Sequence, residues 1–353
     1  MPAPTRHPAA EPRDPGAPPG VHAFGPGDLR GHPVVELLRE RTAAGSRPGR
    51  RADAHVLALA IEGGGMRGVV SAGMTAALDA LGLQHAFDLV VGVSAGASNG
   101  FGLLAGIGTG SALTYLNGCT DGRFIDVRRG LRRRGPVMDL DHLLDTMVLG
   151  PGDERAQRVL ACGVRFAVVA TDVQTTQAAT LEGMGSRAEL RAALKASSMV
   201  PGIAGDRASV DGRDYVDGTV AESIPYEAAL AAGATHLLVL QTRPFGVGLR
   251  PPSWPERLLV GRALRRANPA LVGRYAGRPE RYARAVDELA ARTADGAGPP
   301  FLATIRPRAG TPPVRHLEQD RAPLLAGAIG GVRAVHLALH GREPWVDRDL
   351  QVT

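Results

Sequence analysis

The sequence predicts an α/β fold organised on a mainly parallel sheet, and three observations carry that prediction. Apolar runs of strand length alternate with helix-length segments through most of the chain, the pattern of a parallel sheet with helices on its faces. The first run, 55–61, passes directly into Gly63-Gly64-Gly65-Met66-Arg67-Gly68 and then into a small-residue helical stretch ending near Leu81. The second, 87–91, feeds Gly92-Val93-Ser94-Ala95-Gly96, a Gly-x-Ser-x-Gly box between a strand and a helix. In such sheets the site lies at the carboxyl ends of the strands. Both turns fall there, so the glycine loop and Ser94 are expected side by side.

The elements follow in order. Residues 1–22 are proline, alanine, glycine and charge, with too little apolar surface to offset ordering, and are expected to be disordered. Residues 28–44 predict a short amphipathic helix with Pro33 in its first turn. A polar, basic linker covers 45–51. Residues 1–50 are therefore expected as a disordered or loosely attached tail with a short helix, and 51–353 as a single domain with a helical C-terminal extension. Residues 108–162 are less regular, with a helix at 139–148. Residues 165–171 read as a buried strand, Thr180-Leu181 as part of its neighbour, and 187–198 as a helix ending before Pro201. Residues 208–216 read as a hairpin around Asp211-Gly212, leading into Asp217-Gly218-Thr219. Beyond it, 222–233 reads as helix, 236–240 as buried strand, 254–267 and 279–293 as basic helices, 301–305 as strand and 323–339 as a C-terminal helix.

Composition narrows the function classes. Nearly every basic residue is arginine, and Lys195 is the only lysine. With abundant alanine and glycine this reflects coding bias, so the net charge of +6 is weak support for an anionic partner. No basic-aromatic interleaving of the kind that binds single-stranded nucleic acid is present, and no nucleic-acid partner is expected. The two cysteines, Cys119 and Cys162, lack metal-ligand spacing. The N-terminal residues contain no apolar core of a secretory signal, and no apolar run approaches the roughly 20 residues that span a bilayer. A cytoplasmic location is the expectation.

The two glycine turns carry the chemistry. A serine hydroxyl is a weak nucleophile until it is held rigidly beside a base. A sharp strand-to-helix turn lifts Ser94 out of the backbone, and Gly92 and Gly96 let the chain turn tightly. The triple glycine brings backbone N–H groups to an anion, which beside a nucleophilic serine reads as an oxyanion hole. Residues 63–68 also match the Gly-x-Gly-x-x-Gly dinucleotide fingerprint. Its acidic partner would be Asp88, but Asp88 precedes the second strand and stands at its wrong end. Acyl transfer is the stronger reading.

A base must then be found. Among the ten histidines, His55 and His236 begin strands and His85 precedes one, positions usual for structural residues. A carboxylate acting directly is the alternative. Asp211-Gly212 has the composition of a hairpin turn, whereas Asp217-Gly218 follows a strand and re-enters the catalytic end of the sheet. An aspartate of ordinary pKa near 4 is a poor base at neutral pH and needs a desolvated setting.

The ordered set of residues 63–68, 92–96 and Asp217-Gly218-Thr219, with Ala196-Ser197-Ser198-Met199-Val200-Pro201 between, resembles the patatin-like phospholipase family over about residues 52–245. The resemblance implies a three-layer α/β/α sandwich with a mainly parallel central sheet and a serine nucleophile elbow. It implies a Ser94–Asp217 dyad, with oxyanion donors at Gly64, Gly65 and Met66 and motif positions at Gly63, Arg67, Gly68, Gly92, Gly96, Gly218 and Thr219. Arg67 is expected to hold the glycine loop in shape or to meet a phosphate. Thr219 departs from the Gly or Ala usual in the family and is bulkier. The implied activity is lipid acyl ester hydrolysis through an acyl-enzyme, as a phospholipase A, lysophospholipase or lipase, with no metal or organic cofactor. An acyltransferase using the same site, or a non-catalytic lipid-binding homologue, remains open. Transient peripheral contact with the inner membrane surface is expected, through the arginine-rich run 128–134 or apolar faces near the site; in an arginine-rich chain that run reads first as a solvated loop.

Overall fold

The computed structural model describes residues 27–132 and 135–352. The expected disorder of residues 1–22 lies outside the described residues, as do Arg133 and Arg134 of the basic run.

Among the described residues, eight strands form one mixed sheet: β1 (Leu57–Ile61), β2 (Leu89–Val93), β3 (Arg165–Asp172), β4 (Ala178–Glu182), β5 (Ala208–Val210), β6 (Arg213–Asp217), β7 (His236–Leu240) and β8 (Phe301–Ile305). The order is β5-β6-β3-β2-β1-β7-β8, with β4 also paired to β3. The run β3-β2-β1-β7-β8 is parallel throughout, while β4 and β6 meet β3 antiparallel. At the β5–β6 hairpin Asp211 and Gly212 take φ of 48° and 76°, the two positive values a tight two-residue hairpin turn demands.

The strands are buried on both faces because alternate residues feed two cores. Leu57, Leu59 and Ile61 of β1 point into the larger one, whereas Ala58 and Ala60 face the other. Helices α1 (Pro33–Ala43), α2 (Gly68–Ala80), α3 (Ala95–Leu104), α4 (Gly108–Asn117) and α13 (Arg321–His340) supply the first layer. Helices α9 (Tyr226–Ala231) and α12 (Arg278–Asp295) cover the second face through Tyr226, Ala229, Tyr282 and Leu289. The result is a mixed, mostly parallel sheet between two helical layers.

Several elements differ from expectation. Helix α1 is built into the core: Val34, Val35, Leu37 and Leu38 are buried, and Arg41 is 1% exposed. Arg41 pairs with Asp53 and with Asp88, each at 2.6 Å, and Arg51 pairs with Asp88 at 2.7 Å. These ion pairs join helix and linker to the amino ends of the parallel strands, so residues 33–51 are not a loosely attached tail. Helix α13 corrects a second expectation. It has 20 residues and is apolar enough, by length and composition, to cross a membrane. In the fold it lies against α2 at backbone contact: a Cβ on Gly73 would sit 2.1 Å from Ala328 O, and one on Gly331 2.1 Å from Val70 O.

The irregular segment 108–162 holds α4, α5 (Val127–Leu131), α6 (Leu140–His142, continuing as a π-helix over Leu143–Val148) and α7 (Glu154–Ala161). Helix α8 (Arg187–Ser198) falls where expected. The helix expected at 222–233 shortens to α9 because Pro225 sets its start and Glu222 Oε1 accepts the free N–H groups of Glu227 and Ala228. Beyond β7 come α10 (Trp254–Ala267) and α11 (Ala270–Ala276); the second was not expected.

Candidate active site

The site forms where β1, β2 and β6 end. Between β2 and α3 the chain turns at Ser94, whose φ of 53° and ψ of −126° are strained for a residue with a side chain. Such a conformation costs about 1–3 kcal/mol and persists only where the surroundings enforce it. They do so by close approach. A Cβ on Gly92 would lie 2.4 Å from Ala97 Cα, and one on Gly96 2.3 Å from Ile61 O. Any side chain at either position would push α3 off the strand ends. Ser94 N–H donates to Ser197 Oγ at 2.7 Å, and Ser197 Oγ donates to Val169 O at 2.6 Å. Ser197 was visible in the 196–201 segment, but nothing local revealed that it holds the elbow.

Asp217 ends β6 and is 2% exposed. Ser94 Oγ donates to Asp217 Oδ2 at 2.8 Å, and Thr219 N–H donates to Asp217 Oδ1 at 2.8 Å. Burial pushes the Asp217 carboxyl above its ordinary pKa, against the lowering effect of the Thr219 and Ser94 hydrogen bonds. No arginine or lysine forms an ion pair with it among the described residues, and the charge of Arg278 acts on it only from beyond ion-pair distance, as a smaller lowering effect. Gly218 is forced to be glycine, since a Cβ there would sit 2.2 Å from Val169 O. The Thr219 methyl packs against Gly63, where an added Cβ would meet it at 2.9 Å.

The glycine loop lies directly on the elbow: a Cβ on Gly63 would be 2.7 Å from Val93 O and 3.1 Å from Ser94 Cβ. Gly64 and Gly65 take φ of 158° and 57°, and among the described residues their N–H groups donate to no protein acceptor. Met66, expected as a third donor, is corrected: its N–H donates to His316 O at 2.9 Å. His316 Nδ1 lies 3.1 Å from Gly64 O, which can only accept, so this nitrogen carries the proton. Burial holds the imidazole neutral, its pKa pushed down to about 3. His316 therefore clamps the loop from both sides, 252 residues away in sequence from Gly64.

Arg67 braces the loop from below. Its Nε donates to Thr242 Oγ1 at 3.1 Å, and its guanidinium packs so closely on Gly64 that a Cβ there would meet it at 2.7 Å. Burial pushes its pKa down to about 10. Glu62, fully buried, accepts from Thr242 N–H at 2.6 Å and pairs with Arg243 at 2.9 Å, closing the network. Gly68 sits so near Ala95 that a Cβ would lie 2.5 Å from its methyl.

A narrow pocket opens at Ser94 and Gly65 and runs between apolar walls that include Met66, Phe124, Met138, Leu140, Leu143 and Met147. Its walls come largely from the 108–162 segment, so the irregular stretch is what shapes it. The rival bases are elsewhere. His55 and His236 meet edge-to-face, ring centroids 4.7 Å apart, beside the amino ends of β1 and β7, and burial pushes His236 down to about 4. Asp88, the acid required by the dinucleotide reading, is engaged by Arg41, Arg51 and Leu57 N–H at that same amino end.

Residues 59–230 match the family described as Patatin-like phospholipase. The uncharacterized protein YjjU of Escherichia coli (strain K12) is 29% identical over 216 residues, covering 60% of this chain and 57% of that protein. The chain thus spans little more than half the length of the curated relative it matches. Among solved structures, VipD from Legionella pneumophila covers 80% of this chain and 67% of its own at a TM-score of 0.37 and 13% identity. Human GIVD cytosolic phospholipase A2, in complex with a methyl γ-linolenyl fluorophosphonate inhibitor and terbium chloride, covers 43% of this chain and 27% of its own at a TM-score of 0.27 and 16% identity. Neither overlap is close enough to carry an argument. The match to the patatin-like phospholipase family spans residues 59–230, the stretch that carries the glycine loop, Ser94 and Asp217.

Proposed function

We propose that the protein is a serine acyl hydrolase of lipid esters, and that Ser94 and Asp217 are its catalytic dyad. The observation that carries this reading is the 2.8 Å hydrogen bond from Ser94 Oγ to a buried carboxylate that forms no ion pair among the described residues, beside two backbone N–H groups that donate to no protein acceptor there. Ser94 Oγ attacks the ester carbonyl carbon while its proton passes to Asp217 Oδ2. The oxygen that becomes negative is received by the N–H groups of Gly64 and Gly65; one such donor is typically worth about 3–4 kcal/mol in the transition state. Asp217 then gives its proton to the departing alcohol, leaving the acyl group on Ser94. Water attacks that ester, its proton going to Asp217, and collapse of the second tetrahedral intermediate frees the acid and restores the Ser94 hydroxyl.

The raised pKa of Asp217 favours this chemistry, because a carboxylate held out of water is a stronger base than a solvated one. The apolar pocket beside Ser94 suits a fatty acyl chain, which makes phospholipid, lysophospholipid or glyceride esters the substrate class. Such substrates lie in membranes, so transient contact with a bilayer, in the cytoplasm at the inner membrane surface, belongs to the same proposal. The test is covalent: a fluorophosphonate probe with an alkyl tail should label the wild-type chain at Ser94. Labelling elsewhere, or none, contradicts the proposal. Product analysis with an added alcohol distinguishes hydrolysis from acyl transfer to that alcohol.

A further inference from the structure

Helix α10 departs from the usual pattern of a surface helix. Val260, Ala263 and Leu264 face inward and are buried. On the outward face Trp254 is 76% exposed, Leu258 48% and Leu259 47%. Trp254 and Leu258 stand one turn apart, and the same face continues into Arg262 and Arg265, both exposed. Among the described residues, Arg257, Arg262, Arg265 and Arg266 take part in no ion pair. Three large apolar side chains in water, followed by unpaired cations on one helix, need a partner that is apolar and anionic together.

The position of α10 gives this face a direction. A Cβ on Gly202 would lie 3.1 Å from Leu259 O and 3.3 Å from Ala263 Cβ, so α10 rests on the 199–205 loop. In that loop Met199 O accepts the Asp217 N–H at 2.9 Å, and Ile203 O accepts the N–H of Met138, a wall of the pocket, at 3.0 Å. Helix α10 is therefore one layer away from both the dyad and the pocket. By contrast, Arg129 of the basic run expected to meet lipid is committed to Asp139 at 3.1 Å and to Arg123 O at 2.7 Å.

We propose that the outward face of α10 is the docking surface for a bilayer containing anionic phospholipids. Trp254, Leu258 and Leu259 enter the headgroup–acyl boundary, and Arg262, Arg265 and Arg266 meet the lipid phosphates. The proposal deepens the lipid-hydrolase reading by assigning the surface that brings the site to its substrate. Charge complementarity favours a lipid surface over a second copy of the chain, because two such faces would bring their arginines together.

The test is flotation of the full chain with vesicles of phosphatidylcholine alone or mixed with phosphatidylglycerol, at low and at physiological salt. The wild type should float with mixed vesicles and less so at higher salt. The variant Trp254→Ala/Leu258→Ser/Leu259→Ser should lose roughly tenfold or more in vesicle affinity. All three residues are exposed and outside the site, so its turnover of a short, water-soluble p-nitrophenyl ester should match the wild type. The chain has two tryptophans, so in a Trp345→Phe background the emission reports Trp254 alone and should shift to the blue on vesicle binding. Equal flotation of wild type and triple variant overturns the proposal, as does no flotation of the wild type. A wild-type dimer that the triple variant dissolves, with vesicle binding unchanged, assigns the face to a second copy instead. Vesicle binding without any ester turnover removes the hydrolase reading and leaves the docking surface standing.

Discussion

Two places on the sheet hold acids in opposite ways: Asp53 and Asp88 beside the amino ends of the parallel strands, and Asp217 beside Ser94 at the other end. At the amino ends, Asp53 and Asp88 are caught by Arg41 and Arg51, and the Arg41 hydrogen bond draws Asp53 down to about 2. At the carboxyl ends, Asp217 has only a hydroxyl and amide donors, and burial pushes it up. The first arrangement holds α1 and its linker to the sheet; the second stores a basic carboxylate beside a strained serine. The difference is a cation at ion-pair distance: Asp53 and Asp88 have one, and Asp217 has none among the described residues.

The largest expected effect separates the two ends outright. Ser94→Ala should lower turnover of any accepted ester by about 10⁴-fold or more without changing stability measurably. Kinetics together with thermal unfolding check it. The complementary variant, Asp88→Asn, leaves Arg41 with one carboxylate instead of two and weakens the tie between α1 and the sheet. Denaturant unfolding should register a loss of about 2–3 kcal/mol, with turnover per folded molecule preserved. If Asp88→Asn instead abolished turnover in folded protein, the division between the ends would fail.

That division was partly legible before any coordinates. The glycine loop, the Ser94 elbow and Asp217-Gly218 announce themselves because each is a turn, and turn chemistry is written in neighbouring residues. The partners that make them work are distant. Nothing around His316 marks it as the clamp of the glycine loop, and the expected donor Met66 was lost to a carbonyl 250 residues away in sequence. Helix α1 read as part of a tail because the ion pairs that fix it, Arg41 to Asp53 and Asp88, are tertiary. Helix α4 escaped notice because its sequence, GTGSALTYLN, is poor in strong helix formers and in apolar periodicity. Asp217 needed a desolvated setting to serve as base, and its pKa rise follows from burial that no motif records.

The pH dependences should run with opposite signs. Asp53, depressed in the folded chain, contributes stability that is present above the ordinary aspartate pKa of 3.8 and is lost as pH falls towards about 2. Asp217, raised in the folded chain, acts the other way: its ionisation costs stability as pH rises above 3.8 and through its higher folded value. Turnover should climb over that same rise, since only the carboxylate accepts the Ser94 proton. A pH–rate profile flat from acid to neutral would contradict this assignment.

The smallest effect sharpens the oxyanion side. His316→Ala should lower kcat by about tenfold with little change in KM, because the loop carrying Gly64 and Gly65 loses its clamp. His316→Asn, whose amide can donate to Gly64 O as Nδ1–H does, should recover part of the loss. Equal rates in the two variants would reduce His316 to packing.

The central claim is that Asp217 is the base of a two-residue site. Its most direct test is turnover of a short p-nitrophenyl ester by Asp217→Asn, measured on folded protein at neutral pH. The account predicts turnover near that of Ser94→Ala in a chain at least as stable as the wild type, because a desolvated carboxylate with no ion pair among the described residues has been replaced by a neutral amide. Turnover largely retained in Asp217→Asn would place the base elsewhere and contradict the account.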